Sequence, residues 1–489
     1  MMSALRWLMA SAAMAGTTAV VMYLSYWGAL LYGFISLDEN GRPTLKPKNL
    51  PPGSMGLPMI GETLVLLRNQ VDFWKMRWTR HGEIYKTHLL GFPTVVVTTH
   101  EASKKLLISN ADSLKGHSPD HVISLLGPHF LMFLEGDQHL HLKKKIMKHL
   151  QPALFKSMAA AIEEIAIMHI SSWSNRSNIT FSDEIEKYTI GVGVLTSFGP
   201  LPSFSAAKLI KELGELEKGF TSLPIKLPSF QYYASMQAKN RLLKEIHDIV
   251  NARQKEQNNN RPKDILDVLI DREDPSPQDV VDDNAVGLLF AAGRTTAGLI
   301  AFIVKHLHDH PDVLRDLKMP EQAIPTILCY SHEEQEKIWS RKACGESLSW
   351  EDLKDMPFTY QVMQESMRLI NVVSLQYRLV EKELEFKGYV IPKNWRIISL
   401  HLQWHMDPKI FPDPYKFDPS RFQTPKLAFT PFGPGAHLCA GYEIVRMEVL
   451  IFLHHFTTKF RWEILKDGPI QLAALPTPYA RLPLKLTQL

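Results

Sequence analysis

The sequence predicts a mainly helical protein with a small β region, preceded by an N-terminal transmembrane helix. Three observations point there. No charged residue occurs between Trp7 and Leu37, and about 20 apolar residues are enough to span a bilayer. Long helical patterns dominate from Met158 onward, of which the Asp279–Leu314 run is rich in Ala, Leu and Val. Thr94-Val95-Val96-Val97-Thr98-Thr99 is β-branched and reads as a strand.

The segments follow in order. Residues 1–37 form the expected anchor. A secretory signal would have a shorter apolar core and a small-residue cleavage site, so the anchor is read as retained. Arg6 precedes the span and Arg42, Lys46 and Lys48 follow it. That pattern, in which Asp38 and Glu39 count little, places the body on the cytosolic side. Residues 38–58 include Leu50-Pro51-Pro52-Gly53-Ser54-Met55-Gly56-Leu57-Pro58. Proline and glycine at this density forbid a helix and make a stiff elbow. Residues 59–489 are expected to form one domain, with no clear dividing linker. Within it, Asp282 and Asp283 suit the N-terminus of the long helix, and Gln257–Pro262 reads as a solvated loop. Lys318–Ser331 breaks a helical pattern with Pro320, Pro325 and an apolar Ile-Leu-Cys-Tyr. It is either an unusual loop or a stray exon.

Composition narrows the function. Hydrophobic residues are 45% and charged residues 22% of the 489, which suits a large core and excludes disorder for the bulk of the chain. A net charge of +4 without a dense basic tract gives no case for nucleic acid. The three cysteines, Cys329, Cys344 and Cys439, are too few for a secreted disulfide scaffold and fit a reducing compartment. Cys329 and Cys344 read as small core residues.

Cys439 is different. It lies in Pro431-Phe432-Gly433-Pro434-Gly435-Ala436-His437-Leu438-Cys439-Ala440-Gly441, followed by the helical pattern Tyr442–Val449. A cysteine ahead of a helix N-terminus is stabilised as thiolate by backbone N–H groups and the helix dipole. Glycines let the backbone approach a flat cofactor. A structural cysteine in a Gly/Pro turn is the bland alternative.

On these residues the chain resembles the cytochrome P-450 superfamily. Phe432, Gly435, Cys439 and Gly441 match its haem-binding loop. Glu365-Ser366-Met367-Arg368 resembles its Glu-x-x-Arg helix, and Asp418-Pro419-Ser420-Arg421-Phe422 its Pro-x-Arg-Phe segment. Alone, Glu-x-x-Arg is an ordinary i, i+3 pair; the pieces in order, with anchor and elbow, are specific. The resemblance implies the cytochrome P-450 fold, with Cys439 as ligand to the iron of haem b. It implies a buried network of Glu365, Arg368 and Arg421. His139, Lys143, Arg378 and His437 are then the haem contacts, Arg378 and His437 at the propionates. Lys143, Lys144, Lys145 and Lys148 read either as a solvated helix face or as a docking surface for an acidic reductase.

The distal helix departs from the family pattern Ala/Gly-x-x-Asp/Glu-Thr, whose acid and alcohol relay protons. Phe290-Ala291-Ala292-Gly293-Arg294-Thr295-Thr296 puts Arg294 at the acid and Thr295 at the alcohol. Shifting by one puts Thr295 at the acid and Thr296 at the alcohol. Neither register supplies a carboxylate, and arginine stays protonated with pKa above about 12. Three readings follow. Water held by Thr295 delivers protons, with slower and less coupled turnover, which is the preferred reading. Arg294 clamps a substrate carboxylate. Or the enzyme rearranges an oxygenated substrate without that proton supply. A catalytically silent haem protein is the remaining alternative.

A closer resemblance is to plant abscisic acid 8′-hydroxylases. It is carried by Leu50–Gly56, Gly61-Glu62-Thr63, Tyr85–Gly91, Leu348-Ser349-Trp350-Glu351-Asp352, His437 and Leu453–Lys459. Related enzymes oxidise gibberellin precursors, brassinosteroids and triterpenes. The implied activity is NADPH- and oxygen-dependent hydroxylation of a terpenoid, abscisic acid first. Its apolar pocket is expected from Ser118–Phe133, Leu288–Thr296 and Val372–Leu375. Electrons are expected from a separate NADPH–cytochrome P-450 reductase, since no Gly-x-Gly-x-x-Gly follows a strand. The expected setting is a monomer, anchored by one span in the endoplasmic reticulum membrane.

Overall fold

The computed structural model describes residues 36–37, 43–44, 49–57, 60–255, 263–317, 332–342, 346–424, 428–472 and 476–489. The expected anchor and the Lys318–Ser331 segment lie outside these residues. The described residues fall into two compact units, those up to 117 with 375–400, and those within 118–374 with 401–489. Each is continuous in space but not in sequence, which is why no linker marks the division.

The first unit is built on a five-stranded sheet. Its strands are β1 (Ile84–Leu89), β2 (Phe92–Val97), β3 (Leu114–Gly116), β5 (Leu375–Val380) and β6 (Arg396–Leu400), in the order β1-β2-β6-β5-β3. β2 and β6 are parallel and the other pairs antiparallel. Ile84, Val95, Val97 and Ile397 are buried on one face, Tyr85, Val96, Ile398 and Leu400 on the other. With both faces covered, β2 carries a continuous Val95-Val96-Val97 run rather than an alternating pattern. The strand expected at Thr94–Thr99 begins two residues earlier and ends at Val97. The Thr98 N–H makes the last bond of the β1–β2 ladder, to the Glu83 carbonyl at 2.9 Å. The Thr99 hydroxyl then caps the helix His100–Ser109 by accepting from the Ala102 N–H at 3.3 Å. The β region is also not confined to the N-terminal end, because β5 and β6 return to it from residues 375–400.

The segment expected as a stiff elbow is docked on this sheet over residues 49–57. The Lys86 N–H donates to the Pro52 carbonyl at 2.7 Å and Gly53 bridges Lys86 in parallel register. Gly53 has φ +129°, and a Cβ there would stand 2.1 Å from the Lys86 carbonyl oxygen. Gly53→Ala is therefore expected to destabilise the protein by about 1–3 kcal/mol in urea unfolding; a change below about 0.5 kcal/mol would contradict this docking.

The second unit is mainly helical. Its labelled helices are α1 (Gly136–His149), α2 (Phe181–Phe198), α3 (Ser203–Glu217), α4 (Gln278–Asp309), α5 (Pro357–Leu369) and α6 (Tyr442–Lys459). A small antiparallel sheet joins β4 (Asn178–Thr180), β7 (Phe460–Ile464) and β8 (Pro483–Gln488), in the order β7-β8-β4. Helices begin at Thr63, well before the patterns from Met158, because the earlier ones are short and only partly apolar.

The central helix is α4, 32 residues long and buried over most of its length. Among the described residues it is the one helix apolar and long enough to cross a membrane, and its burial makes it a core helix. It stops at Asp309 rather than running to Leu314. Pro311 restricts His310, which has φ −127° and ψ 74°, and a separate helix starts at Pro311. Asp279 supplies the first-turn charge. Asp283 lies one turn further in and accepts from the His129 N–H at 3.0 Å. Asn284 accepts from the Leu131 N–H at 2.9 Å and donates to the His129 carbonyl at 2.8 Å. These bonds tie the loop after Gly127 to α4.

Candidate active site

The Cys439 loop folds back on itself just ahead of α6. Gly433 and Gly435 take φ of +82° and +74°, the left-handed turns that only glycine adopts freely. The Cys439 N–H donates to the Phe432 carbonyl at 3.0 Å and the Leu438 N–H to the Gly435 carbonyl at 3.1 Å. The Gly441 N–H bonds the cysteine sulfur. Cys439 is accessible, yet protein surrounds its sulfur, so it opens into a recess. Burial pushes the thiol up from its ordinary range, opposed by the Gly441 N–H and the Lys143 ammonium.

His139 and Lys143, four apart on α1, share the face toward this loop. Lys143 Nζ donates to the Leu438 carbonyl at 2.7 Å, and burial holds its pKa below the usual value. The buried His139 ring stacks on His437, centroids 4.0 Å apart at 27°. His437 Nε2 lies 3.0 Å from a Glu135 carboxylate oxygen. The fold thus brings His139, Lys143, His437 and Cys439 together, with Phe432, Gly435 and Gly441 in the loop itself. Lys145 is drawn off the exposed helix face, its side chain folded against Asp274 and Ser276. Arg378 belongs to the sheet unit, on β5, in register with Ile397 and Gly116 and donating to the Tyr377 carbonyl at 2.9 Å.

Glu365 and Arg368, both fully buried, form a two-pronged pair at 2.6 and 2.8 Å. The Arg368 guanidinium also donates to the carbonyls of His405 (3.1 Å), Pro414 (2.8 Å) and Lys416 (3.2 Å). Arg421 approaches Glu365 at 3.4 Å and donates to the Pro412 and Asp413 carbonyls. The Asp418 N–H donates to Glu365 at 2.9 Å. The stretch between residues 405 and 421 is thereby fastened to one helix, α5, ahead of the cysteine loop.

On α4, Thr295 is half-buried and its hydroxyl donates to the Ala291 carbonyl at 2.7 Å. Thr296 is buried, its hydroxyl against the Glu448 carboxyl of α6 without a well-formed hydrogen bond. Burial pushes the Glu448 carboxyl well above the usual carboxylate range. Arg294 turns to other protein residues. Its Nε donates to Glu217 of α3 at 2.7 Å and a terminal nitrogen to Glu186 of α2 at 2.5 Å. Arg481 shares Glu186 at 2.7 Å and pairs with Asp183 at 2.5 Å.

Around α4, a Cβ on Gly287 would lie 2.3 Å from the Phe130 ring, and one on Gly298 3.3 Å from Val372. Phe220, just past α3, meets Phe290 edge-on at 4.7 Å. Phe130, Phe220 and Val372 therefore cover α4 with apolar side chains along its length.

Glu135, Glu186, Glu217, Arg481 and Glu448 were not anticipated. Glu448 had a signal, a lone acid within the apolar Met447–Leu453 stretch. The others had none, since they reach their partners across 77 to 302 residues of chain.

The Cytochrome P-450 family profile matches residues 51–482. Abscisic acid 8′-hydroxylase 2 of Arabidopsis thaliana is 35% identical over 447 residues, 90% of each chain. Abscisic acid 8′-hydroxylase 1 of Oryza sativa subsp. japonica is 36% identical over 449 residues, covering 90% of this chain and 91% of that one. Among solved structures, retinoic acid-bound cyanobacterial CYP120A1 superposes with TM-score 0.78 at 28% identity, over 90% of this chain and all of the other. The chain belongs to the cytochrome P-450 family, and its fold and relatives make it an oxidoreductase of the monooxygenase type. Haem is the group this family implies, and the Cys439 recess fits it: a thiol with an N–H on its sulfur, glycines at the backbone approach, and a cation beside it.

Proposed function

We propose that this protein hydroxylates a terpenoid acid, with abscisic acid at its 8′ position as first candidate, in hormone catabolism. The observation that carries the proposal is the identity of 35–36% to abscisic acid 8′-hydroxylases over nine-tenths of the chain. The retinoic acid in the structural relative supports the same ligand class, an apolar isoprenoid body ending in a carboxylate. The apolar wall of Phe130, Phe290 and Val372 suits that body.

Cys439 would hold the haem iron as thiolate, with Phe432, Gly435 and Gly441 against the ring. Lys143 and His437 would supply donors to its acid side chains. When bound, a thiolate-ligated haem supplies the electron push that favours O–O cleavage. The protein's own groups do the rest. Gly441 N–H and Lys143 favour the sulfur anion. The Thr295 hydroxyl, anchored on Ala291, keeps oxygen lone pairs available to hold water on the half-open side of α4. Thr296 faces α6 instead, which favours Thr295 as the family's alcohol. Arg294 is engaged by Glu186 and Glu217, which speaks against its clamping a substrate. Electrons would come from NADPH through a separate reductase. Residues 1–37 would anchor a monomer in the endoplasmic reticulum membrane, with residues 38–58 leading to the catalytic body.

The test is reconstitution with a plant reductase, abscisic acid, oxygen and NADPH. Hydroxylated product in near-equal ratio to NADPH is expected. NADPH consumption without product, on abscisic acid and on a panel of other terpenoid acids, would overturn the assignment.

A further inference from the structure

The family's distal helix carries its acid beside the alcohol; here Arg294 stands there and brings carboxylates in from two other helices. We propose that Glu217, held against α4 by Arg294, is the group that takes up and hands on protons beside Thr295. This rests on the monooxygenase reading above and deepens it. Arg294 is then a positioning residue, and the titrating group comes from α3.

Four observations carry it. First, the cluster holds three carboxylates, Asp183, Glu186 and Glu217, against two guanidiniums, Arg294 and Arg481. One carboxylate can therefore gain a proton without leaving a cation unpaired. Second, burial selects which. Side-chain exposure falls from 49% at Asp183 through 20% at Glu186 to 4% at Glu217. Desolvation disfavours charge most at the innermost group. Asp183 and Glu186 form the solvent-facing side of the cluster and Glu217 its inner side. Third, Glu217 Oε1 is buried and accepts no hydrogen bond from the described residues, a costly state for an ionised oxygen. Fourth, Glu217 is the last residue of α3, where the helix dipole also disfavours a negative charge. In keeping with this, burial pushes its carboxyl up to about 7, opposed by Arg294 and Arg481 and aided by Glu186. A carboxyl poised there exchanges protons at neutral pH, which Arg294 cannot. In the step itself one proton moves from solvent to Glu217 and from Glu217 to water beside Thr295, and no electrons move.

The test combines two readouts. In an infrared titration of the purified protein, a protonated-carboxyl band is expected to titrate near neutral pH and to vanish in Glu217→Gln. Glu334 is also pushed up to about 7, so Glu334→Gln serves as control and is expected to keep the Glu217 component. With reductase and abscisic acid, Glu217→Gln is expected to slow NADPH consumption at least tenfold and to remove the limb of its pH profile near pH 7. Glu217→Asp, which keeps a carboxyl, is expected to shift that limb rather than remove it. A band or a pH limb unchanged in Glu217→Gln would overturn the proposal. So would a limb unmoved in Glu217→Asp, which also decides the matter if the glutamine variant fails to fold. Absence of NADPH consumption in the wild type would instead overturn the monooxygenase reading, whatever the infrared result.

Discussion

Arg368→Ala is expected to destabilise the protein by about 3–5 kcal/mol, the scale for removing one partner of a buried ion pair. Arg368 and Glu365 are fully buried, so the variant leaves Glu365 charged with only Arg421 at 3.4 Å and the Asp418 N–H for company. The guanidinium also satisfies three backbone carbonyls, of His405, Pro414 and Lys416. For that reason an apolar replacement of both partners is not expected to restore stability, as it often does for an isolated buried pair. The His405 carbonyl would stay buried and unpaired, at roughly 1–3 kcal/mol, and those of Pro414 and Lys416 would lose a partly buried bond each. Urea unfolding of Arg368→Ala and of Glu365→Met/Arg368→Met checks both statements. A double variant as stable as the wild type would show that the pair alone, and not the tethering of residues 405–416, matters.

Cys439→Ser is expected to abolish turnover while leaving the fold in place. Serine keeps the size of the side chain and can still accept from the Gly441 N–H. Its hydroxyl does not ionise in this range, so the electron-rich ligand is lost. Activity should fall about a thousandfold or more, the scale for removing a group on which the rest of a site depends. Stability should change by no more than about 0.5 kcal/mol, as for accessible positions, because Cys439 opens into a recess. Product formation and thermal unfolding of the haem-loaded variant measure the two effects. Activity within tenfold of the wild type would remove Cys439 from its role.

The cysteine loop was legible because its information is local. Glycines at positions 433 and 435 and the helix pattern from Tyr442 describe a turn feeding a helix, and the structure shows that turn. α4 was legible from its apolar run, although its end at Asp309, marked by Pro311, was overrun. The Glu365–Arg368 pair could be seen only as spacing. What buries it, the carbonyls between residues 405 and 416, comes from elsewhere in the chain. The same holds for the sheet, where β2 finds its parallel partner β6 about 300 residues on. Arg294 was visible as an anomaly, a charge in an apolar helix that had to find a partner or reach water. Which partners it found depends on how α2 and α3 lie against α4, and no local pattern encodes that.

The central claim is that Cys439 places a thiolate on haem iron. The most direct measurement is the absorption spectrum of the reduced wild-type protein before and after carbon monoxide. A Soret band shifted well to the red of that given by histidine-ligated haem is the predicted result. A band at the histidine-type position, obtained with haem fully incorporated, would contradict the account.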